Sequence, residues 1–276
     1  AVDPIEPARL KISKYAAVLG RHGDRYGGKG LKLSVEMIQA VASDTLRQSD
    51  PQLWAEAKNA EGIGRLGLGR RLPGEQGAKL VEDSVACFRA ALRYQPQANQ
   101  PIKWAQIKCN LATALRIQGR STSEPKGSLL LAEAGSAFRS VLQVITRAND
   151  PVNWSLFQNN FANALMDQGR RVYGPDGAQL MAEAVSVYRA TLEVTTRVSH
   201  PVIWAKNQNN LAIALHEQGS RTDGPQDVKL LAKAANLYRS ILEVFTQADH
   251  PMHWASAQNN LGNALRDQGS RTDGLE

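Results

Sequence analysis

Residues 151–200 read PVNWSLFQNN FANALMDQGR RVYGPDGAQL MAEAVSVYRA TLEVTTRVSH, and this stretch decides the fold because the chain writes it repeatedly with a period of 50. Trp54, Trp104, Trp154, Trp204 and Trp254 keep that spacing, and Pro51, Pro101, Pro151, Pro201 and Pro251 stand three residues ahead of them. Gly69, Gly119, Gly169, Gly219 and Gly269 hold the same register. So do Leu80, Leu130, Leu180 and Leu230, followed by the pairs Phe88-Arg89, Phe138-Arg139, Tyr188-Arg189 and Tyr238-Arg239. A fixed period of this length marks a repeat architecture in which each unit is one supersecondary element.

Each unit reads as two helices. Asp50-Pro51 and Asp150-Pro151 place a capping carboxylate before a proline at the first helical position, where the missing N–H costs nothing. Trp154, Gln158, Phe161 and Leu165 then share one helical face, and Gly169 is expected to close the helix. Residues 171–177 and 221–225 are rich in Gly, Pro and Asp and read as loops. A second helix is expected over about 178–197 with Leu180, Ala184, Tyr188 and Leu192 inward. No segment alternates with period two, so the chain is expected to be all-α.

The units fall at 51–100, 101–150, 151–200 and 201–250. Residues 1–50 hold a degenerate copy, with Gly23, Leu33 and Glu36 near the places of Gly169, Leu180 and Glu183 and a shorter second helix. Residues 251–274 are the first helix of a further unit, and Leu275-Glu276 reads as a cloning scar with the natural protein continuing. One helix pair cannot bury its apolar face alone, so the pairs are expected to stack as one α-α superhelical solenoid over 1–276, with about five and a half antiparallel pairs and about 11 helices. The recurring tryptophans are expected to wedge between units, where truncation of a fully buried one would cost about 3–5 kcal/mol.

Composition removes other classes. Hydrophobic residues make up 42% and charged residues 21%, and no apolar run approaches the ~18 residues of a membrane span. Cys87 and Cys109 have no second Cys or His at metal-ligand spacing, and the N-terminal stretch lacks a secretory pattern, so a reducing, cytoplasmic setting is expected. The net charge is +7, but residues 1–150 carry 22 Lys and Arg against 14 Asp and Glu, whereas residues 151–276 carry 11 against 12. The basic surplus therefore belongs to the first half.

The residues resemble the tetratricopeptide repeat, whose pattern is W-x₂-L-G-x₂-Y, then A-x₃-F, then P. Gln158, Phe161-Ala162 and Leu165 fill its first block, Ala184 and Tyr188 its second, and Pro201 its final proline, while Leu261-Gly262 restores the Leu-Gly pair. Gln158 takes the family's tryptophan position and Trp154 lies one turn earlier. The period of 50, against 34 for the family, implies longer helices and a longer connecting loop. The chain looks like a long-repeat member of the superfamily, of the kind found in large multidomain bacterial signalling proteins.

The resemblance implies a concave face, lined by first helices, that holds partner peptides. On a wheel centred on Trp154, Asn159, Asn163 and Met166 point away from the core and Asn160 sits at its border. Their equivalents are Cys109, Asn110, Thr113 and Arg116, then Asn209, Asn210, Ile213 and His216, then Asn259, Asn260, Asn263 and Arg266. This asparagine ladder has two readings. A carboxamide offers a donor and an acceptor to an extended peptide backbone, or it hydrogen-bonds a neighbouring helix and sets the repeat angle.

The remaining motifs weigh less. Gly62 to Gly67 spells G-x-G-x-x-G but falls inside a first helix, the wrong context for a dinucleotide site. Glu61 and Arg65 replace the apolar residues that Phe161 and Leu165 supply, so this helix is either rotated or irregular, helped by its glycines, or carries a partly buried ion pair at a functional spot. His200 and His250 precede prolines as Asp150 does, which suits capping better than a metal. Arg189 with Glu193, and Arg239 with Glu243, read as surface pairs one turn apart. No acid–base pair, metal set or activated nucleophile assembles, and neither a catalytic residue nor a cofactor is expected. The expectation is a non-enzymatic interaction scaffold for a protein or peptide, favouring an acidic one through Lys103, Lys108 and Arg116. Nucleic-acid binding by the basic half, or a regulatory repeat region of a larger signalling enzyme, are the alternatives.

Overall fold

The computed structural model describes residues 29–221 and 225–272, and among these every regular element is a helix. Gly23 and Leu275-Glu276 lie outside the described residues. The chain divides into two compact units, residues 1–144 and 145–276.

In the first unit, α1 (Lys29–Val41) and the short α2 (Asp44–Ser49) precede two pairs. These are α3 (Pro51–Gly69) with α4 (Gly74–Tyr94), and α5 (Pro101–Ser121) with α6 (Lys126–Val144). In the second unit α7 (Pro151–Arg171) pairs with α8 (Pro175–Leu192), α9 (Pro201–Arg221) pairs with α10 (Pro225–Leu242), and α11 (Pro251–Thr272) packs on α10. Each helix packs on its hairpin mate, and within a unit each pair packs on the next, the stacking of an all-α solenoid.

The starts of the first helices follow from the sequence. Asp50 accepts a hydrogen bond from the Leu53 N–H at 2.9 Å, and Asp150 from that of Asn153 at 3.2 Å. Gln100 makes no side-chain cap. At the later positions the carbonyls of His200 and His250 accept from the backbone N–H groups of Trp204 and Trp254, while the His200 ring meets the Ser199 hydroxyl and the buried His250 Nδ1 has no hydrogen-bond partner among the described residues.

The connection within a pair is short. Residues 172–174 alone join α7 to α8, with Gly174 at φ +77°, so Pro175, Asp176 and Gly177 form the first turn of α8 instead of a loop. The extra length of the repeat resides in helices of about 20 residues. Gly169 does not terminate α7 and has no positive φ. A Cβ there would lie 2.9 Å from the Gly177 carbonyl oxygen, and one on Gly177 would lie 1.9 Å from that of Val172. This glycine pair sets how closely the two helices approach at the hairpin.

The core is rotated slightly from the expected faces. In α8 the buried residues are Gly177, Met181, Ala184, Val185, Tyr188 and Thr191, while Leu180 and Leu192 are half-buried. The tryptophans are corrected further, because only Trp54 is buried. It meets Tyr94 edge-on with centroids 5.1 Å apart, beside Val41 and Leu46. Trp104, Trp154, Trp204 and Trp254 are half-buried, and Arg147 and Arg197 lie over the rings of Trp154 and Trp204 at 5.9 Å each. Those arginines also pair with Glu193 at 2.8 Å and Glu243 at 2.6 Å, about one repeat onward, in place of the pairs expected one turn away.

Candidate functional site

The asparagine ladder is divided between helix contacts and open positions. In the second unit Asn159 is buried, because the neighbouring first helix α9 covers the side of α7 that a single-helix wheel leaves outside. Its Nδ2 donates to Asn207 Oδ1 at 2.6 Å, and its Oδ1 accepts from Asn210 at 2.9 Å and Asn163 at 3.2 Å. Met166 is buried as well. Asn207, 1% exposed, donates onward to Thr195 Oγ1 at 2.9 Å and Ser155 Oγ at 3.3 Å. Thr195 donates to the Thr191 carbonyl at 2.9 Å, and the Tyr188 hydroxyl donates to Asn163 Oδ1 at 2.8 Å. The result is a neutral, connected polar network within the second unit.

The first unit repeats one bond of this set. Asn110 Nδ2 donates to Asn59 Oδ1 at 3.0 Å, equivalent by the 50-residue period to Asn210 on Asn159. Thr113 donates to the Cys109 carbonyl of its own helix at 2.9 Å, and Cys109 is buried instead of facing a groove. Arg116 and Asn160 are half-buried and engaged in polar contacts. His216 Nε2 meets Asp267 Oδ2 at 2.9 Å. Asp267 is also bound by Arg266; burial works to raise its pKa, but the hydrogen bonds from His216 and Arg266 hold it below the ordinary value.

Four asparagines remain. Asn209, Asn260 and Asn263 are half-buried and Asn259 is exposed, and none makes a side-chain hydrogen bond to the described residues. They stand on α9 and α11, two first helices of the second unit.

Glu61 and Arg65 form the other polar centre. The helix α3 is continuous through its glycines, so the irregular-helix reading gives way to the buried ion pair. Glu61, 1% exposed, binds Arg65 Nη2 and Lys58 Nζ at 2.7 Å each and accepts from Gln39 Nε2 at 3.1 Å. Arg65 Nη1 reaches Asp83 at 3.0 Å, and Lys79 braces Asp83 at 3.2 Å. Burial, and then the charge of Glu61, push the Cys87 thiol up to about 11, so it stays protonated at neutral pH. The glycines of the G-x-G-x-x-G stretch serve packing: a Cβ on Gly62 would lie 2.7 Å from the Phe88 ring, and one on Gly64 2.5 Å from Val35.

Sequence reading missed Asn207 and the cluster in which Arg170 Nη1 binds Asp167 at 2.5 Å and its Nε binds Glu217 at 2.9 Å. The signal was available, since Asn207 interrupts a column otherwise filled by Ala57, Ile107, Phe157 and Ala257. Among the described residues no group of His, Cys, Asp and Glu could hold a metal, and no helix is long and apolar enough to cross a membrane.

These features define an all-α helical-repeat protein. No family model and no curated protein matches the chain. Among solved structures it is similar to one described as a circular tandem repeat protein with novel repeat topology and enhanced subunit contact surfaces, at 13% identity and a TM-score of 0.41, over 96% of this chain and 71% of that one.

Proposed function

We propose that this chain is a non-enzymatic interaction scaffold, a tetratricopeptide-like repeat region with 50-residue units from a larger, cytoplasmic bacterial protein. Its first helices hold an extended or helical segment of a partner protein. The observation that carries this reading is the set Asn209, Asn259, Asn260 and Asn263, whose carboxamides make no hydrogen bond among the described residues. Such groups satisfy a peptide backbone without selecting side chains. The first unit by itself carries the basic surplus of residues 1–150, with Lys103, Lys108 and Arg116 on α5, and this favours acidic segments.

The test is an array of extended peptides of graded charge, probed with the chain and with the Asn209→Ala/Asn259→Ala double variant. Acidic peptides are expected to be retained, and the double variant is expected to lose about tenfold in affinity with an unchanged melting temperature. Retention that ignores peptide charge, or a variant that binds as tightly as the parent, would sink the reading. A second reading, single-stranded nucleic acid, draws on half-buried Trp104 with Lys108 6.0 Å from its ring in the basic half. Filter binding with a steep salt slope would favour it.

A further inference from the structure

Departures from the repeat converge on one cleft in the first unit. Its volume is about 730 Å³, within the range of small-molecule sites, and residues of α1, α3 and α4 line it. Three columns that are uniform in the later repeats change at its wall. Arg65 stands where Leu115, Leu165, Leu215 and Leu265 do. Leu68 stands in a column of Gln118, Gln168, Gln218 and Gln268, and Gln39 in a column of Arg89, Arg139, Arg189 and Arg239. A residue kept through four repeats suits the stack, so the exchange of all three at one place has a local cause.

The Gln39 exchange separates two helices. Arg89 on α4 ties to Glu133 on α6 at 2.9 Å, and the residues one period earlier are Gln39 and Asp83, both on the cleft. Gln39 donates to Glu61 instead, at 3.1 Å, while Asp83 binds Arg65 and Lys79. The equivalent tie from α1 to α4 is therefore not made.

Charge and apolar surface define what the cleft suits. Lys29, Lys32, Arg65 and Arg71 outnumber Glu36 and Asp83 along its wall, and Val35, Leu68, Leu72 and Leu80 supply apolar surface. Lys29 and Lys32 are exposed and make no ion pair among the described residues. Arg65 gives Nη2 to Glu61 and Nη1 to Asp83, but its buried Nε–H has no hydrogen-bond partner among the described residues. A buried donor without an acceptor is unfavourable, and the oxygen of an anion supplies one. The 28 residues ahead of α1 carry five Lys and Arg against three Asp and Glu, the wrong sign for occupying a basic cleft.

We propose that this cleft binds a small organic anion with an apolar body, its head held by Lys29, Lys32 and Arg65 and its body laid on Leu68, Leu72 and Leu80. The helices that build it carry none of the open asparagines, so the site goes beyond the scaffold reading. Once bound, the anion bridges α1 and α4 in place of the missing arginine tie.

The experiment is calorimetric titration of the 276-residue chain with decanoate and with decyl phosphate, below their aggregation thresholds, against acetate and decyltrimethylammonium. At least one alkyl anion is expected to bind one to one and at least about tenfold tighter than either control. Lys32→Glu, at an exposed side chain without an ion pair, is expected to weaken the anion about tenfold. Leu68→Gln, which writes in the residue of the later repeats, is expected to weaken it about tenfold with helicity unchanged by circular dichroism. Asn209→Ala with Asn259→Ala is expected to leave this binding unchanged, so its failure and that of the scaffold reading are told apart. Binding of neither anion, equal binding of the cation, or full binding by Lys32→Glu or Leu68→Gln would each overturn the proposal. So would loss of anion binding in the asparagine double variant.

Discussion

The most buried polar centre of each unit is bonded by different means, although the second unit also buries the charge of Asp167 beside Arg170. In the first, Glu61 and Arg65 take core columns that Leu111, Leu115, Leu211 and Leu215 fill elsewhere, and Lys58, Gln39 and Asp83 complete their bonding. In the second, Asn159, Asn207, Thr195 and Ser155 form a network without a formal charge. An ion pair in a poorly solvated site must recover a desolvation cost of several kcal/mol per charge, whereas amides and hydroxyls forfeit much less water. One scaffold thus tolerates both solutions, provided that the groups are bonded.

The largest effect expected from breaking this contrast is at Glu61. Glu61→Leu leaves Arg65 with half its partners in a buried column and should cost about 3–5 kcal/mol in urea unfolding. Glu61→Leu with Arg65→Leu restores the column and should regain that loss or exceed the parent by about 1–4 kcal/mol, since Asp83 keeps Lys79. A double variant as weak as the single one would show that the charges hold the packing. Next, Asn207→Ala strips bonds from Asn159, Thr195 and Ser155 and should cost about 1–3 kcal/mol, read from the same melts, with no rescue from an apolar replacement of Asn159 alone.

The smallest effect concerns pH. All four described histidines lie in the second unit. Burial, then the charges of Lys206 and His250, lower the His253 pKa below its ordinary value. A histidine lowered on folding takes its proton first in the unfolded chain, so stability falls as pH drops through the unfolded value near 6.5. Replacing His253 with Gln should flatten the stability profile between about pH 7 and 5, measured by melts at stepped pH. An unchanged slope would place the acid sensitivity elsewhere.

The period made the repeat readable, the three- and four-residue spacing of Trp154, Gln158, Phe161 and Leu165 made its first element a helix, and the Asp50 and Asp150 caps follow from local chemistry. The site was less readable, because a helical wheel knows one helix and the stack adds neighbours. Asn159 lies outside α7 considered alone and inside once α9 is beside it. Gly177 suggests a loop by composition, yet the close helix crossing is what requires it. Comparing columns between repeats found Glu61 and would have found Asn207 as well.

The bonds between repeats have a mechanical meaning. Within the units, Asn110 to Asn59, Asn210 to Asn159, the Arg221 guanidinium to the Gly169 carbonyl and Arg271 to that of Ser220 all join residues 51 or 52 apart. Such ties run between adjacent turns of the chain like the stitches of a knitted row, and each is released when its own pair detaches. A unit drawn out by tension therefore yields in steps of one helix pair, each freeing about 165–180 Å of contour. Its length under load is counted in repeats, as its sequence is.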